Sequence, residues 1–160
     1  MPIPSCKDRR VPPMHTQESR MSHHDDLEAI RQLKARYFRF MDTKDWEGLA
    51  SVFTTDVHID MTGEGGGVTE SVETYLPFLI AQIGEVTTVH HGHMSEIGFD
   101  GDDRAHGIWA MEDELWWPEG SPLRHLHGYG HYHETYRREP QGWLISSMTL
   151  TRLTRLIEFA

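Results

Sequence analysis

Cysteine is nearly absent from this 160-residue chain: Cys6 stands alone, so no disulfide can form within it. Nothing in that usage asks for an oxidising compartment, and the cytoplasm is the expected setting. Long apolar runs are missing as well. No segment approaches the ~20 continuous apolar residues of a membrane-spanning helix, and the N-terminal MPIPSCKDRRVPPMHTQESR has bases without the apolar stretch of a secretory signal. Positive charge is scarce: 15 Lys and Arg against 25 Asp and Glu leave a formal net charge of −10. A surface of that sign repels nucleic acid and anionic membranes, so neither is an expected partner.

What is present fits one domain, long enough to bury a real core and too short for two. Residues 1–24 hold four prolines and almost no large apolar side chains, which predicts a flexible tail ahead of a domain over 25–160. Asp25, with Glu28 three residues on, reads as a capping box. Leu27, Ile30, Leu33, Tyr37, Phe40 and Met41 then recur at helical spacing, predicting a helix over about 25–43. Trp46, Leu49, Ala50 and Phe53 predict a second helix, and residues 57–61 a short strand. After the glycine-rich loop TGEGGGVTE, the segment SVETYLPFLIAQIG reads as a third helix despite Pro77.

From Thr87 onward the pattern alternates. TTVHHGHMSEIGF, RAHGIWAMEDELWW, RHLHGYGHYHETYRR and WLISSMTLTRLTRL, separated by DGDD, PEGSP and EPQG turns, predict four long strands in an antiparallel meander. Helices first and sheet later give an α+β domain: three N-terminal helices packed on one face of a strongly bent antiparallel sheet, with an apolar pocket between them.

Three sets of side chains are equipped for chemistry. Tyr37 and Asp42 offer a phenol and a carboxylate on the first helix, but at ~100° per residue they lie about 140° apart and meet one cavity only if it wraps the helix end. A core tyrosine and a solvated or capping acid are the ordinary readings. Twelve histidines are present, nine of them beyond residue 24. His91 and His93 share one sheet face and His90 takes the other; His125 pairs with His127 and His131 with His133 in the same way. Such HxH pairs on neighbouring strands suit zinc or iron, yet without cysteine partners or a longer ligand motif they read first as polar residues on an open sheet face or at a subunit interface.

The third set lies on later strands. Asp113 shares a face with Trp109 and Met111, and a carboxylate in such company needs a partner. His90 and Arg152 are the two candidates, evenly matched. An inward Arg152 could also hold an oxyanion or carboxylate, whereas Arg155 reads as snorkelling at the sheet edge.

Taken together, IRQLKARYFRFMDTKDWEGLASVFTTDV, VHHGHMSEI, GIWAMEDEL, GYGHYHETYRR and GWLISSMTLTRL resemble the SnoaL-like branch of the nuclear-transport-factor-2-like superfamily, over about Asp25 to Leu156. The resemblance implies an α+β cone with a pocket between helices and curved sheet, in proteins that often form dimers or trimers. Scytalone dehydratase, bile-acid 7α-dehydratase and the hexachlorocyclohexane dehydrochlorinase use an Asp on the first helix with a His on the strand after the third, positions matched here by Asp42 and His90. The bile-acid dehydratase pattern adds a Tyr, an Asp and an Arg, matched by Tyr37, Asp113 and Arg152. The dehydrochlorinase's arginine falls at Met148, which argues against dehalogenation.

The function so implied is that of a dehydratase- or isomerase-like lyase, needing no cofactor and no metal. It would act on a hydrophobic, ring-containing molecule such as a steroid, terpenoid or polyketide, in a homodimer or homotrimer. The alternatives are a non-catalytic binding or assembly module of the same fold and, behind it, a metal enzyme using the HxH pairs.

Overall fold

The computed structural model describes the backbone of residues 18–160 and the side chains of residues 23–160. Its first element, α1 (Glu18–Asp42), follows the predicted apolar arc: Ile30, Leu33, Tyr37 and Met41 are buried at i, i+3, i+7 and i+11. The helix begins earlier than expected. Asp25 therefore lies inside it, exposed and not at a cap, which corrects the capping-box reading; residues 18–24 are its first turns, and residues 1–17 of the expected tail lie outside the described residues. Because residues 18–24 carry few large apolar side chains, the arc could not signal their helicity.

α1 ends in a Schellman turn, with Asp45 N donating to Phe40 O (2.9 Å) and Lys44 N to Met41 O (3.2 Å). Lys44 holds the left-handed position of that turn (φ 59°), where glycine is usual. Asp45 then caps α2 (Trp46–Ala50) by accepting from Gly48 N at 2.8 Å. Phe53, expected on this helix, instead opens strand β1 (Phe53–Asp60): Ile145 N donates to Val52 O and Phe53 pairs with Ile145, so a long-range ladder takes over a residue that the local period assigned to the helix.

The glycine-rich loop holds one turn of 3-10 helix (Thr62–Glu64) and a two-residue strand β2 (Val68–Thr69), and α3 (Val72–Ile83) follows, capped by Ser71. Pro77 sits within α3, where its lack of an N–H removes one rung of the ladder without ending the helix. The meander is as predicted: β3 (Thr87–Phe99), β4 (Arg104–Trp116), β5 (Leu123–Glu139) and β6 (Gly142–Phe159) pair in sequence, antiparallel.

The six strands run in the order β2-β1-β6-β5-β4-β3, in a curved, unclosed sheet with helices on one face. One pairing is parallel, β1 with β6, so the sheet is mixed and not wholly antiparallel. Alternation sets the layers. On β4, Ala105, Gly107, Trp109, Met111, Asp113 and Leu115 are all buried, while the residues between them are half-buried or exposed on the open face. Among the described residues no helix is long and apolar enough to cross a membrane.

Candidate active site

Asp42 is the last residue of α1, and Thr88 and His90 stand two apart on β3 with their side chains toward it. His90 Nδ1 lies 2.6 Å from Asp42 Oδ1, the His90 backbone N–H donates to Oδ2 at 2.8 Å, and the Thr88 hydroxyl donates to Oδ1 at 2.9 Å. Thr88 in turn accepts from Lys44 Nζ at 2.9 Å, so the lysine at the left-handed turn position reaches this cluster. Burial pushes the Asp42 carboxyl up, but the His90 ring, its charge and backbone N–H, and the Thr88 hydroxyl more than reverse this and hold it below its ordinary value. An ionised carboxylate only accepts, so it fixes the proton of neutral His90 on Nδ1 and leaves Nε2 free. The His90 side chain is only 6% exposed, and the residue lines a cavity of about 290 Å³.

Sheet register delivers the second group. His90 pairs with Asp113, Asp113 with Gly128, and Arg152 reaches across from β6. Its Nη1 and Nη2 donate to Asp113 at 2.8 and 2.7 Å, which resolves the two possible partners of Asp113 in favour of arginine. Gly128 on the intervening strand makes this possible: a Cβ there would stand 2.3 Å from Asp113 Oδ1 and 2.5 Å from Arg152 Nη1.

Glu64 completes the cluster from the glycine-rich loop, accepting from Arg152 Nε and Nη2 at 3.0 Å each. Sequence reasoning missed it. Glu64 and Arg152 are 88 positions apart, and in a loop written TGEGGGVTE an acid carries no periodic signal. Arg155, 39% exposed in its side chain, is a looser neighbour, 3.6 Å from Glu64, and lines the same cavity.

Tyr37 lines the cavity from α1. Its ring meets Tyr132 edge to face, 5.8 Å between centroids, and Tyr75 lies nearby. Burial, together with those two phenols, raises the Tyr37 hydroxyl well above its ordinary value, so it stays a neutral donor across the working range. Beneath lies a buried ion pair that the sequence did not announce. Lys34 Nζ donates to Glu134 Oε1 at 2.5 Å and sits over the rings of Tyr132 (3.6 Å) and Tyr37 (4.0 Å). Burial pushes the Lys34 amine down to about 8 against the pull of Glu134. Tyr136 and Trp109 extend the network, Trp109 Nε1 donating to the Tyr136 hydroxyl at 2.7 Å.

Tyr37, His90, Asp113 and Arg152 thus border one cavity, with Asp42 behind His90. Much of the remaining wall is apolar, including Met41, Phe78, Leu79, Leu115 and Leu150. A wider hollow of about 610 Å³ between α1 and the β3 bulge is lined by Phe38, Met94 and Trp109 together with Arg31, Lys34 and His93, whose side chain is 53% exposed.

The other histidines go elsewhere. On the open face His127 Nε2 meets Glu112 at 2.8 Å, His93 meets Glu112 at 3.4 Å, and His125 bonds Glu114. Among the described residues, no three His, Cys, Asp or Glu side chains are gathered as a metal site would need.

This arrangement can take a proton at His90 Nε2, return one from His90 or Tyr37, and hold an apolar ring between them. The SnoaL-like domain family matches residues 22–149. A probable cyclase, FGR4, of Gibberella zeae is 26% identical over 133 residues, which span 78% of this chain and 89% of that protein. The crystal structure of the Kfla4162 protein of Kribbella flavida covers 84% of this chain and 95% of its own, at 26% identity and a TM-score of 0.76. That of a hexachlorocyclohexane dehydrochlorinase, LinA type 2, covers 87% and 93%, at 19% identity and a TM-score of 0.77, a likeness of fold.

Proposed function

This chain belongs to the family of SnoaL-like domains, and on that premise we propose that it is a dehydratase- or isomerase-like lyase acting by His–Asp acid–base chemistry. Its substrate would be a hydrophobic, ring-containing small molecule such as a steroid, terpenoid or polyketide. The observation that carries the reading is the 2.6 Å contact of His90 Nδ1 with Asp42, which leaves Nε2 as the basic nitrogen of a residue lining an apolar cavity.

In the proposed reaction His90 Nε2 removes a proton from carbon next to a carbonyl or vinylogous carbonyl. Asp42 keeps the ring in the needed tautomer and stabilises the imidazolium that forms. Tyr37 donates to the oxygen that gains charge. In a dehydration, the electron pair left by the proton forms the new double bond as the hydroxyl departs, and that hydroxyl takes its proton from His90 or Tyr37 to leave as water. In an isomerisation the same proton returns to another carbon. Asp113 and Arg152 shape the wall beside His90 and take no proton.

The Gibberella zeae relative, named a probable cyclase, and the dehydrochlorinase neighbour agree with a lyase-like activity. Dehalogenation itself is disfavoured by Met148, which the family resemblance matches to the dehydrochlorinase's arginine and which is buried here. The cytoplasm remains the proposed setting, and a homodimer or homotrimer the proposed assembly. A binding module of this fold is the rival reading, and the enclosed His90–Asp42 pair favours the enzyme, because a binder has no use for an oriented base.

The test uses cyclic β-hydroxyketones and enones in D₂O, with NMR detection of deuterium uptake at the activated carbon and of released alkene. Wild type is expected to catalyse one of these and His90→Ala to lose roughly 10²–10⁴-fold of the rate, the ordinary worth of a positioned acid–base group. Full turnover by His90→Ala contradicts the assignment.

A further inference from the structure

We infer that Glu64 sets the charge of the ligand this cavity accepts: by saturating Arg152 it reserves the site for an uncharged ring and turns carboxylates away. The inference rests on the reading of the cavity as a ligand site and adds the substrate's charge to it.

A lone arginine in an apolar pocket would advertise affinity for a carboxylate or oxyanion, since its planar fork offers five N–H donors. Here every one is taken. Nε–H goes to Glu64 Oε1, the two Nη2 hydrogens to Glu64 Oε2 and Asp113 Oδ2, and those of Nη1 to Asp113 Oδ1 and, weakly, to Met111 Sδ at 3.7 Å. An incoming anion would find no free donor on Arg152. The second guanidinium on the cavity, Arg155, is 39% exposed in its side chain and leans on Glu64 at 3.6 Å. Two carboxylates thus stand against two arginines, and no surplus positive charge is left for an anion while Glu64 is present.

The two carboxylates hold Arg152 on different terms. Asp113 lies on β4, 3% exposed in its side chain, in a niche kept open by Gly128, and belongs to the sheet. Glu64 comes from a turn closed by Gly65 at φ +78°, with Gly66 so close to Phe78 that a Cβ would stand 2.8 Å from the ring. Removing Glu64 therefore opens two donors of Arg152 toward the cavity while leaving the Asp113 pair in place. Glu64 is in this sense a specificity-determining residue and no part of the proton transfer.

The two halves of the test are 2-naphthol and 2-naphthoate at neutral pH, the same ring uncharged and anionic, titrated by calorimetry into the full chain. Wild type is expected to bind the naphthol at least about tenfold more tightly, the scale of one charge-assisted hydrogen bond lost. Glu64→Ala is expected to gain affinity for naphthoate on the order of tenfold with little change for naphthol, and Glu64→Asp to keep the wild-type preference. Equal binding of both rings by wild type, or an unaltered ratio in Glu64→Ala, overturns the inference and leaves the cavity a ligand site. Binding of neither ring by either protein overturns both together. Because the wild-type ratio is a measurement in its own right, the inference stays exposed even if Glu64→Ala does not fold.

Discussion

Both faces of one sheet carry histidine beside carboxylate, in opposite circumstances. On the helix-covered face His90 is 6% exposed in its side chain and bonded to Asp42, which accepts from three donors and is held ionised. On the open face His93, His125 and His127 alternate with Glu112 and Glu114 across three strands, at side-chain exposures of 21–53%. Coulomb attraction there works against water, and exposed pairs of this kind contribute about 0–1 kcal/mol. The residue types are the same, and the enclosed His90 ring with its three-donor hold on Asp42 makes the difference. An imidazole ring shut away from water against a carboxylate bonded by three donors is held to one tautomer and one direction for the proton. Asp42 itself, 22% exposed in its side chain, is covered to about the same degree as Glu112 and Glu114.

That contrast can be broken most sharply by substitution on each side. His90→Ala is expected to abolish roughly 10²–10⁴-fold of kcat/KM, whereas His127→Ala on the open face leaves the rate within about twofold. Comparable losses from both, in steady-state assays of the two variants, would erase the distinction between the faces.

The enclosed face should also be the less forgiving of added volume. Gly128→Ala places a methyl group against Asp113 and Arg152, and a loss of about 1–3 kcal/mol in urea-induced unfolding is expected. Glu112→Gln, on the open face, should stay within about 0.5 kcal/mol of wild type in the same measurement.

Lys44 sharpens the comparison by separating stability from function. It occupies a left-handed position, which costs a side-chain-bearing residue about 1 kcal/mol, yet supplies the cation that reaches Asp42 through Thr88. Lys44→Gly is expected to raise the unfolding free energy by about that amount and to lower kcat/KM several-fold, with a shifted pH profile. A stabilised variant with unchanged rate and profile would remove Lys44 from the site.

Acid titration gives the smallest effect. The folded chain holds the Asp42 proton less tightly than the unfolded chain, so the stability from this carboxylate is fully present above its ordinary value near ~4 and is lost as pH falls through the depressed folded value. The Tm advantage of wild type over Asp42→Asn should therefore shrink on acidification. A gap that widens in acid would give the shift the opposite sign.

How much of this was legible before folding follows from the range of each interaction. Strand alternation placed His90 apart from His91 and grouped Trp109, Met111 and Asp113, because side-chain period is local to each strand. The family resemblance singled out Tyr37, Asp42, His90, Asp113 and Arg152; Tyr37, His90, Asp113 and Arg152 border one cavity and Asp42 stands behind His90. The partner of Asp113 could not be read, since two strands compete to supply it and the room for Arg152 depends on a glycine, Gly128, on a third strand. Glu64, Lys34 and Glu134 were missed for the same reason: each is defined by a partner 88 or 100 residues away. The parallel β1–β6 ladder likewise took Phe53 from the helix its spacing suggested.

Whether Asp42 and the enclosure of its ring make His90 the oriented base can be read most directly from ¹⁵N NMR of the histidine rings at neutral pH. Neutral His90 is expected to carry a proton on Nδ1 and none on Nε2, with that preference weakened in Asp42→Asn and mixed tautomers for the open-face histidines. A proton on Nε2 of neutral His90 in the wild-type protein would contradict that role.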